Sequence, residues 1–426
     1  MKIVLVGAGS YVFSPTVLHD LIETYRANCE LALVDTQPES AQRMARVAAA
    51  LARKNGVTLT TSVAADWKDA LDGADAVLLS AAIQGRKRWE TDFALLSECG
   101  LADQARECGG IGGLIYALRT CTLALGLCAD MRAQCPGAPL LVASNPLPRV
   151  ITATQRFGGI RSYGFCSAGA GQHDDFAEIA AMLGRPPETV RAVAAGLNHF
   201  SWLVRLTDAQ TGADLLPEAL ARVADGALGD DRRRMLLDYG GVCTLPAGHS
   251  ADFVAKVEGW TREIHVPFHG DGAERAAQIA ALDAVADGKG DFEAILARSS
   301  WEHPALAAAT LIGGGEFAVA SVNVLNEGNI VGLPDGSAVE VPVLFADHRA
   351  EPVRDIALPE GVLAICKKVS RVHDLAAEAA ATGDRALLWE ALTVDPALEL
   401  CDPAVAKRAM ERLLDAHRDV LPQFFK

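Results

Sequence analysis

The sequence predicts an α/β protein, with a parallel, doubly wound sheet in its first half followed by an α+β lobe. Three observations lead there. Short β-branched runs alternate with helical patterns up to about residue 195. The first run ends directly in a glycine-rich turn. Beyond that half, longer helices mix with isolated β segments. Alternation of strand and helix implies a parallel sheet with helices on both faces.

In chain order, 2–6 reads as a compact strand, and a helix pattern follows through Leu18, Leu21 and Ile22. A second strand at 30–34 ends at Asp35, a helix covers 39–54, and a polar β segment covers 57–63. Strands follow at 76–80 and 139–143. In the second half, 201–206 and 339–344 read as β, and the Ala- and Leu-rich stretch 355–424 reads as helical. No internal repeat or long linker interrupts the chain. At 426 residues the chain is too long for one small core, so two units are expected, 1–195 and 196–426.

The chain carries 39 basic and 54 acidic residues, a net charge of −15. That charge repels nucleic acid and anionic membrane surfaces while leaving room for a local basic pocket. No run reaches ~20 unbroken apolar residues, so no membrane span is expected. Met1–Val6 runs into glycine without a cleavage-site pattern, and a cytoplasmic protein is expected. The ten cysteines contain no C-x-x-C pair and read as buried thiols, not disulfides or a zinc cage.

Gly7-Ala8-Gly9-Ser10 lies between the first strand and the first helix. A dinucleotide pyrophosphate needs close backbone approach and a helix N-terminus aimed at it. Gly7 permits the tight turn and Gly9 removes a Cβ from the phosphate path, although Val12 stands where a third glycine is usual. Two glycines alone are also compatible with a plain turn. Asp35, at the end of the next strand, sits where a carboxylate accepts ribose hydroxyls and disfavours a 2′-phosphate, so the cofactor expected is NAD.

Further motifs follow in a specific order: 100–104, Gly112-Gly113 with 117–120, Asn145-Pro146, Gly164-Phe165-Cys166, 196–199 around Asn198-His199, 326–330, Leu333-Pro334 and 339–342. Together with the glycine turn and Phe13 they resemble glycoside hydrolase family 4, the NAD-dependent glycosidases, along the whole chain. The resemblance implies a lactate/malate dehydrogenase-like Rossmann fold whose C-terminal lobe binds substrate and joins subunits into a homodimer or homotetramer. It also implies oxidation of the sugar at C3 by NAD, loss of the C2 proton, elimination of the aglycone, addition of water and return of the hydride. A divalent metal, typically manganese, assists in the family.

Carried over residue by residue, the resemblance makes Cys166 and His199 the two metal ligands, chemically reasonable for a borderline ion. Elsewhere a lone Cys or His in such a core would serve packing. Asn145 is expected to hold sugar hydroxyls beside the cofactor, with helix capping as the plainer role. Two departures stand out. Ser167 follows the metal cysteine where better-known subgroups carry His, Asp or Asn, and a serine hydroxyl is a poor general acid. Gly241 and Val242 occupy the place of the family's tyrosine pair, leaving Tyr239, His249 and Asp252 as candidates for the base. The run Arg86-Lys87-Arg88 reads as a loop after the strand at 76–80, either a solvated face or, with Arg149 and Arg262, a grip on an anionic sugar. Sulfoquinovosides are the specific expectation, ahead of uronides and 6-phosphoglycosides. The rivals are a lactate/malate-type dehydrogenase, which would accumulate NADH, and a non-catalytic NAD-responsive binding protein.

Because Asp35 ends the second strand, NAD should bind more tightly than NADP in calorimetry, and Asp35→Ala should weaken NAD by about 1–3 kcal/mol. Equal or tighter NADP binding would contradict the ribose assignment.

Overall fold

The structure, a computed structural model, describes residues 1–166, 175–245, 250–255, 272–299 and 302–426. Among the described residues, eleven strands form one sheet. They are β1 Lys2–Val6, β2 Cys29–Val34, β3 Leu59–Ala64, β4 Ala76–Leu79, β5 Leu140–Val142, β6 Ser162–Gly164, β7 Val190–Leu197, β8 Phe200–Asp208, β9 Glu316–Leu325, β10 Ala338–Ala346 and β11 Arg349–Pro352. The order β3-β2-β1-β4-β5-β6 is parallel throughout. At β6 the sheet changes character. It pairs antiparallel with β9 through Gly164 and Asn323, and β10, β7 and β8 continue antiparallel. The expected division at 195/196 falls inside β7, which belongs to this continuous sheet.

Alternation along the parallel strands divides the core in two. Ile3, Leu5, Leu31, Leu33, Leu78 and Leu141 face one layer, with α1 Ser14–His19, α2 Pro38–Asn55 and the helix Pro304–Gly313. Val4, Val6, Val34, Val77, Leu79, Leu140 and Val142 face the other. That second layer holds α4 Gly110–Gln134 and the helices Glu360–Thr382 and Pro403–Ala416, so the end of the chain covers the sheet made by its beginning. By length and composition α4 could cross a membrane, but most of its apolar window is buried within the protein.

Residues 84–88 are not a loop. Gln84 adopts a left-handed conformation and caps α3 Gly85–Glu98, whose buried positions Arg88, Asp92 and Leu96 recur at helical spacing. Arg88 therefore points inward, unavailable to an anionic sugar. It donates to Asp419 through both terminal nitrogens (3.1 and 2.6 Å) and to His417 Nδ1 at 3.1 Å. Since a guanidinium only donates, His417 Nδ1 accepts, and its Nε2 donates to Asp92 at 2.5 Å. Arg119 from α4 completes the network with a bidentate bond to Asp92 at 3.2 and 2.7 Å. All four of Arg88, Asp92, Arg119 and His417 are buried.

Removing one partner of a buried ion pair leaves the other charge uncompensated. Arg119→Leu should therefore destabilise the fold by about 3–5 kcal/mol, read as a lower urea midpoint at unchanged slope. A loss below about 1 kcal/mol, the size of a surface pair, would mean that the network contributes little.

Candidate active site

The glycine turn is built by close approach. Gly7 has φ +91°, and a Cβ there would lie 2.1 Å from the Ser80 carbonyl oxygen at the end of β4. A Cβ on Gly9 would meet Asp35 Oδ2 at 2.7 Å, in the space through which the Gly9 N–H donates to that oxygen at 2.8 Å. Asp35 Oδ1 accepts from the Gln37 N–H at 2.8 Å. Both oxygens keep a further lone pair for a ribose diol. Ser10 Oγ accepts from the Phe13 N–H at 3.1 Å, and regular helix begins only at Ser14. The cradle fits a dinucleotide by its geometry: two glycines where nothing larger fits and a fixed acid beyond them.

At the same edge, past the carboxyl ends of β5 and β6, stand Asn145 and Cys166. Cys166 Sγ lies 3.2 Å from His199 Nε2, and both residues are buried. His199 sits in the turn between β7 and β8 with φ 61°, a strained conformation for a non-glycine residue. The turn is held from below by Glu340, which accepts from Asn198 Nδ2 (2.7 Å), Ser201 Oγ (2.5 Å) and Asn323 Nδ2 (3.2 Å). Burial nevertheless raises the Glu340 carboxyl above its ordinary range. Gly164 lets β6 reach this cluster, since a Cβ there would lie 2.8 Å from that of Asn323.

Opposite the pair are two residues that the sequence reading missed. Glu107 Oε1 accepts from Asn145 Nδ2 at 3.0 Å, leaving the buried Asn145 Oδ1 without a hydrogen-bond partner. Burial pushes the Glu107 carboxyl up to about 8, against the Asn145 bond and with help from Asp252. Cys108 is fully buried; burial, then the charges of Glu107 and Asp252, raise its thiol well above the ordinary value. Their signal was the glycine-dense run that follows. A Cβ on Gly109 would sit 1.8 Å from the Asp252 carbonyl oxygen, so two segments touch there backbone to backbone.

That contact brings Asp252 into the site. Arg106 Nη1 donates to the carbonyls of Ala251, Asp252 and Val254 at 3.2, 2.8 and 3.0 Å, and Asp252 Oδ2 accepts from the Cys108 N–H at 3.1 Å. Tyr239 is placed differently. Its ring packs edge-on against Trp202 with centroids 5.9 Å apart. Burial, followed by Asp238 and Glu399, pushes its phenol up to about 12, unsuited to a base at neutral pH. His249 and Arg262 lie outside the described residues, as does Ser167. Arg149 is fully buried in the short helix Leu147–Thr152, beneath the site and not lining a surface pocket. Arg86 and Lys87 are exposed. Burial raises the phenol of Tyr11, just past the glycine turn, against the charges of Arg275 and Arg86, and the Arg275 guanidinium lies 5.7 Å from the centre of the same ring.

Two family models match the chain: family 4 glycosyl hydrolase over residues 2–182 and the family 4 glycosyl hydrolase C-terminal domain over residues 194–398. An alpha-glucosidase of Erwinia rhapontici is 27% identical, covering 97% of this chain and 96% of its own. Among solved structures, a putative glucosidase from Bacillus subtilis superposes with TM-score 0.80 at 23% identity, covering 97% of this chain and 99% of its own. A 6-phospho-beta glucosidase from Thermotoga maritima, solved with manganese, NAD+ and glucose-6-phosphate, has TM-score 0.72 at 18% identity, covering 99% of each chain.

Because Glu340 holds three buried donors, Glu340→Ala should cost about 1–3 kcal/mol for each donor left unsatisfied, while Glu340→Gln, which keeps a carbonyl acceptor, should cost less. Thermal unfolding of the two variants checks the order. An equal loss would mean that the donors find other partners.

Proposed function

The chain belongs to family 4 of the glycosyl hydrolases, and from that premise we propose that it hydrolyses a glycoside with NAD as a recycled cofactor. The sugar is oxidised at C3, the acidified C2 proton is removed, the aglycone leaves across C1–C2, water adds and the C3 carbonyl is reduced again. The observation that carries this reading is a convergence at one sheet edge. The carboxyl ends of β1 and β2 supply Gly7, Gly9 and Asp35, and those of β5 and β6 supply Asn145 and Cys166. Ligands of open α/β sheets bind at that edge.

NAD bound in this cradle would supply the hydride acceptor and donor, and a divalent ion at Cys166 and His199 would polarise the C2 and C3 oxygens. The protein's own groups do the positioning. Asn145 Oδ1 is free to accept from a sugar hydroxyl, and Glu107 fixes the direction in which that amide faces. Asp252, buried beside Glu107 and Cys108, is our choice for the group that takes the C2 proton. In this reading residues 1–195 carry the dinucleotide, and 196–426 complete the substrate pocket and the subunit contacts of a cytoplasmic dimer or tetramer.

For the substrate we keep the anionic glycosides, with a sulfoquinovoside as the specific assignment and uronides and 6-phosphoglycosides behind it. Exposed Arg86 beside Tyr11 and Arg275 supports an anion near the cofactor turn. A neutral glucoside is the second reading, favoured by the withdrawal of Arg88 and Arg149 into the interior. A panel of nitrophenyl glycosides bearing 6-sulfo, 6-phospho, uronic or unmodified C6 groups separates the two by relative kcat/KM.

Turnover in deuterated water should leave deuterium at C2 of the released sugar, require NAD and build up no NADH. Asp252→Asn should slow C2 exchange while still allowing bound NAD to be reduced. Unlabelled sugar released at full rate by cofactor-stripped enzyme would instead mean direct displacement at C1.

A further inference from the structure

A narrow cleft opens beside the glycine turn, lined among others by Leu5, Phe13, Thr16, Ser80, Ala143 and His303. It lies at the carboxyl ends of β1, β4 and β5. β2 and β3 stand on one side of β1 and β4 to β6 on the other, so the strand order reverses between β1 and β4. Dinucleotides cross an open α/β sheet at such a reversal. Asp35 ends β2 and takes the ribose on that side, so the other half of the cofactor extends toward β4 and β5. There it meets Asn145 and Cys166, beside which the sugar must lie to exchange a hydride.

His303 is the imidazole of this cleft, and three features converge on it. Its backbone is left-handed, φ 55°, which is uncommon for a residue with a side chain. Its ring is tied to the fully buried Asp20, 283 residues earlier, at 2.8 Å between Nδ1 and Oδ1. Asp20 opens a single π-helical turn, Asp20–Thr24, directly after α1, a distortion of regular helix that recurs at functional sites. The ring also meets Phe317 edge-on, with centroids 6.2 Å apart. His303 is therefore held by its backbone, by a carboxylate and by an aromatic neighbour. A carboxylate only accepts, so Nδ1 is the donor and Nε2 of the neutral ring is an acceptor.

We infer that His303 recognises the carboxamide of the nicotinamide and that Asp20 is its positioning residue. The inference rests on the NAD reading above. A carboxamide brings N–H donors, and the tautomer set by Asp20 offers them an acceptor. Fixing that group fixes the rotation of the ring, and with it which face and which carbon the sugar meets. The device joins the two halves of the chain: Asp20 follows the helix after the glycine turn, and His303 precedes the helix Pro304–Gly313.

The test is calorimetric binding of three ligands to the full-length protein: NAD, ADP-ribose, which lacks the nicotinamide, and 3-acetylpyridine adenine dinucleotide, in which a methyl group replaces the carboxamide nitrogen. Wild type should prefer NAD to the acetylpyridine analogue by about 3–10-fold, the effect of one neutral hydrogen bond. His303→Asn suits the left-handed backbone, which Asn tolerates. It should abolish that preference and leave ADP-ribose affinity within about 2-fold, below the effect of one hydrogen bond. Asp20→Ala should lose the preference as well, whereas Asp20→Asn, which keeps an acceptor for Nδ1–H, should retain it. If Asp20→Ala does not fold, His303→Asn and Asp20→Asn still decide. A preference unchanged in His303→Asn, or absent in the wild type, overturns the inference and leaves the NAD reading standing. Equal losses of NAD and ADP-ribose in His303→Asn also overturn it, since the residue would then serve the fold alone. Failure of the wild type to bind either NAD or ADP-ribose overturns the NAD reading itself.

Discussion

Glu340 lies in the middle of the sheet, 1% exposed, and its two oxygens bind side chains from the β7–β8 turn, from β8 and from β9. Around it the sheet passes from its parallel to its antiparallel part. Glu340 is in register with Asn323 on one side and Gly196 on the other, and Asn323 is in register with Gly164. A buried carboxylate tolerates few arrangements, because each oxygen needs donors once water is gone. Satisfying it fixes the register of β6, β7, β9 and β10 together. Cys166, two residues past Gly164, and His199, three past Gly196, meet as a result. The contact between Cys166 and His199 is thus a consequence of how the sheet accommodates one buried carboxyl group.

Much of the parallel half was legible because its strands are short β-branched runs and its helices are periodic. β1, β2, β4 and β5 stand within a residue or two of where the pattern put them. The candidate site was legible only in part. Cys166, His199 and Asn145 were found through resemblance, each placed by a motif. Glu107 and Cys108 were not, because they stand in an irregular, glycine-dense stretch without periodicity. Glu340 lay within the motif at 339–342, but its burial was not legible: between Val339 and Val341 it follows the alternation of a strand with one wet face, and tertiary burial overrides that pattern. Arg88 was misread because adjacency in sequence suggested a cationic patch, whereas helical spacing to Asp92 and Leu96 was the informative relation.

The acidic chain spends several of its cations inside. Arg88, Arg106, Arg119 and Arg149 are all buried. Arg106 gathers three carbonyls of the 251–254 segment, and Arg119 grips Asp92. The planar fork of arginine suits such stapling because several donors are fixed in one plane. These buried cations act on the protein itself, and Arg106 helps to set where Asp252 stands. Among the described residues, exposed Arg86 and Arg275 bear on Tyr11, just past the cofactor turn.

The network that joins Arg88, Asp92 and Arg119 to His417 and Asp419 has a consequence for how the protein is made. Asp92 and Arg119 leave the ribosome roughly three hundred residues before their histidine partner, at the usual ~5–20 residues per second. During that interval one face of the nascent parallel sheet has α4 but lacks the helices Glu360–Thr382 and Pro403–Ala416 and its full set of counter-charges. The first half can collapse as it emerges, but its second core layer closes only when the segment around 403–419 arrives. The order of synthesis and the order of completion therefore run in opposite directions: the part made first is finished last.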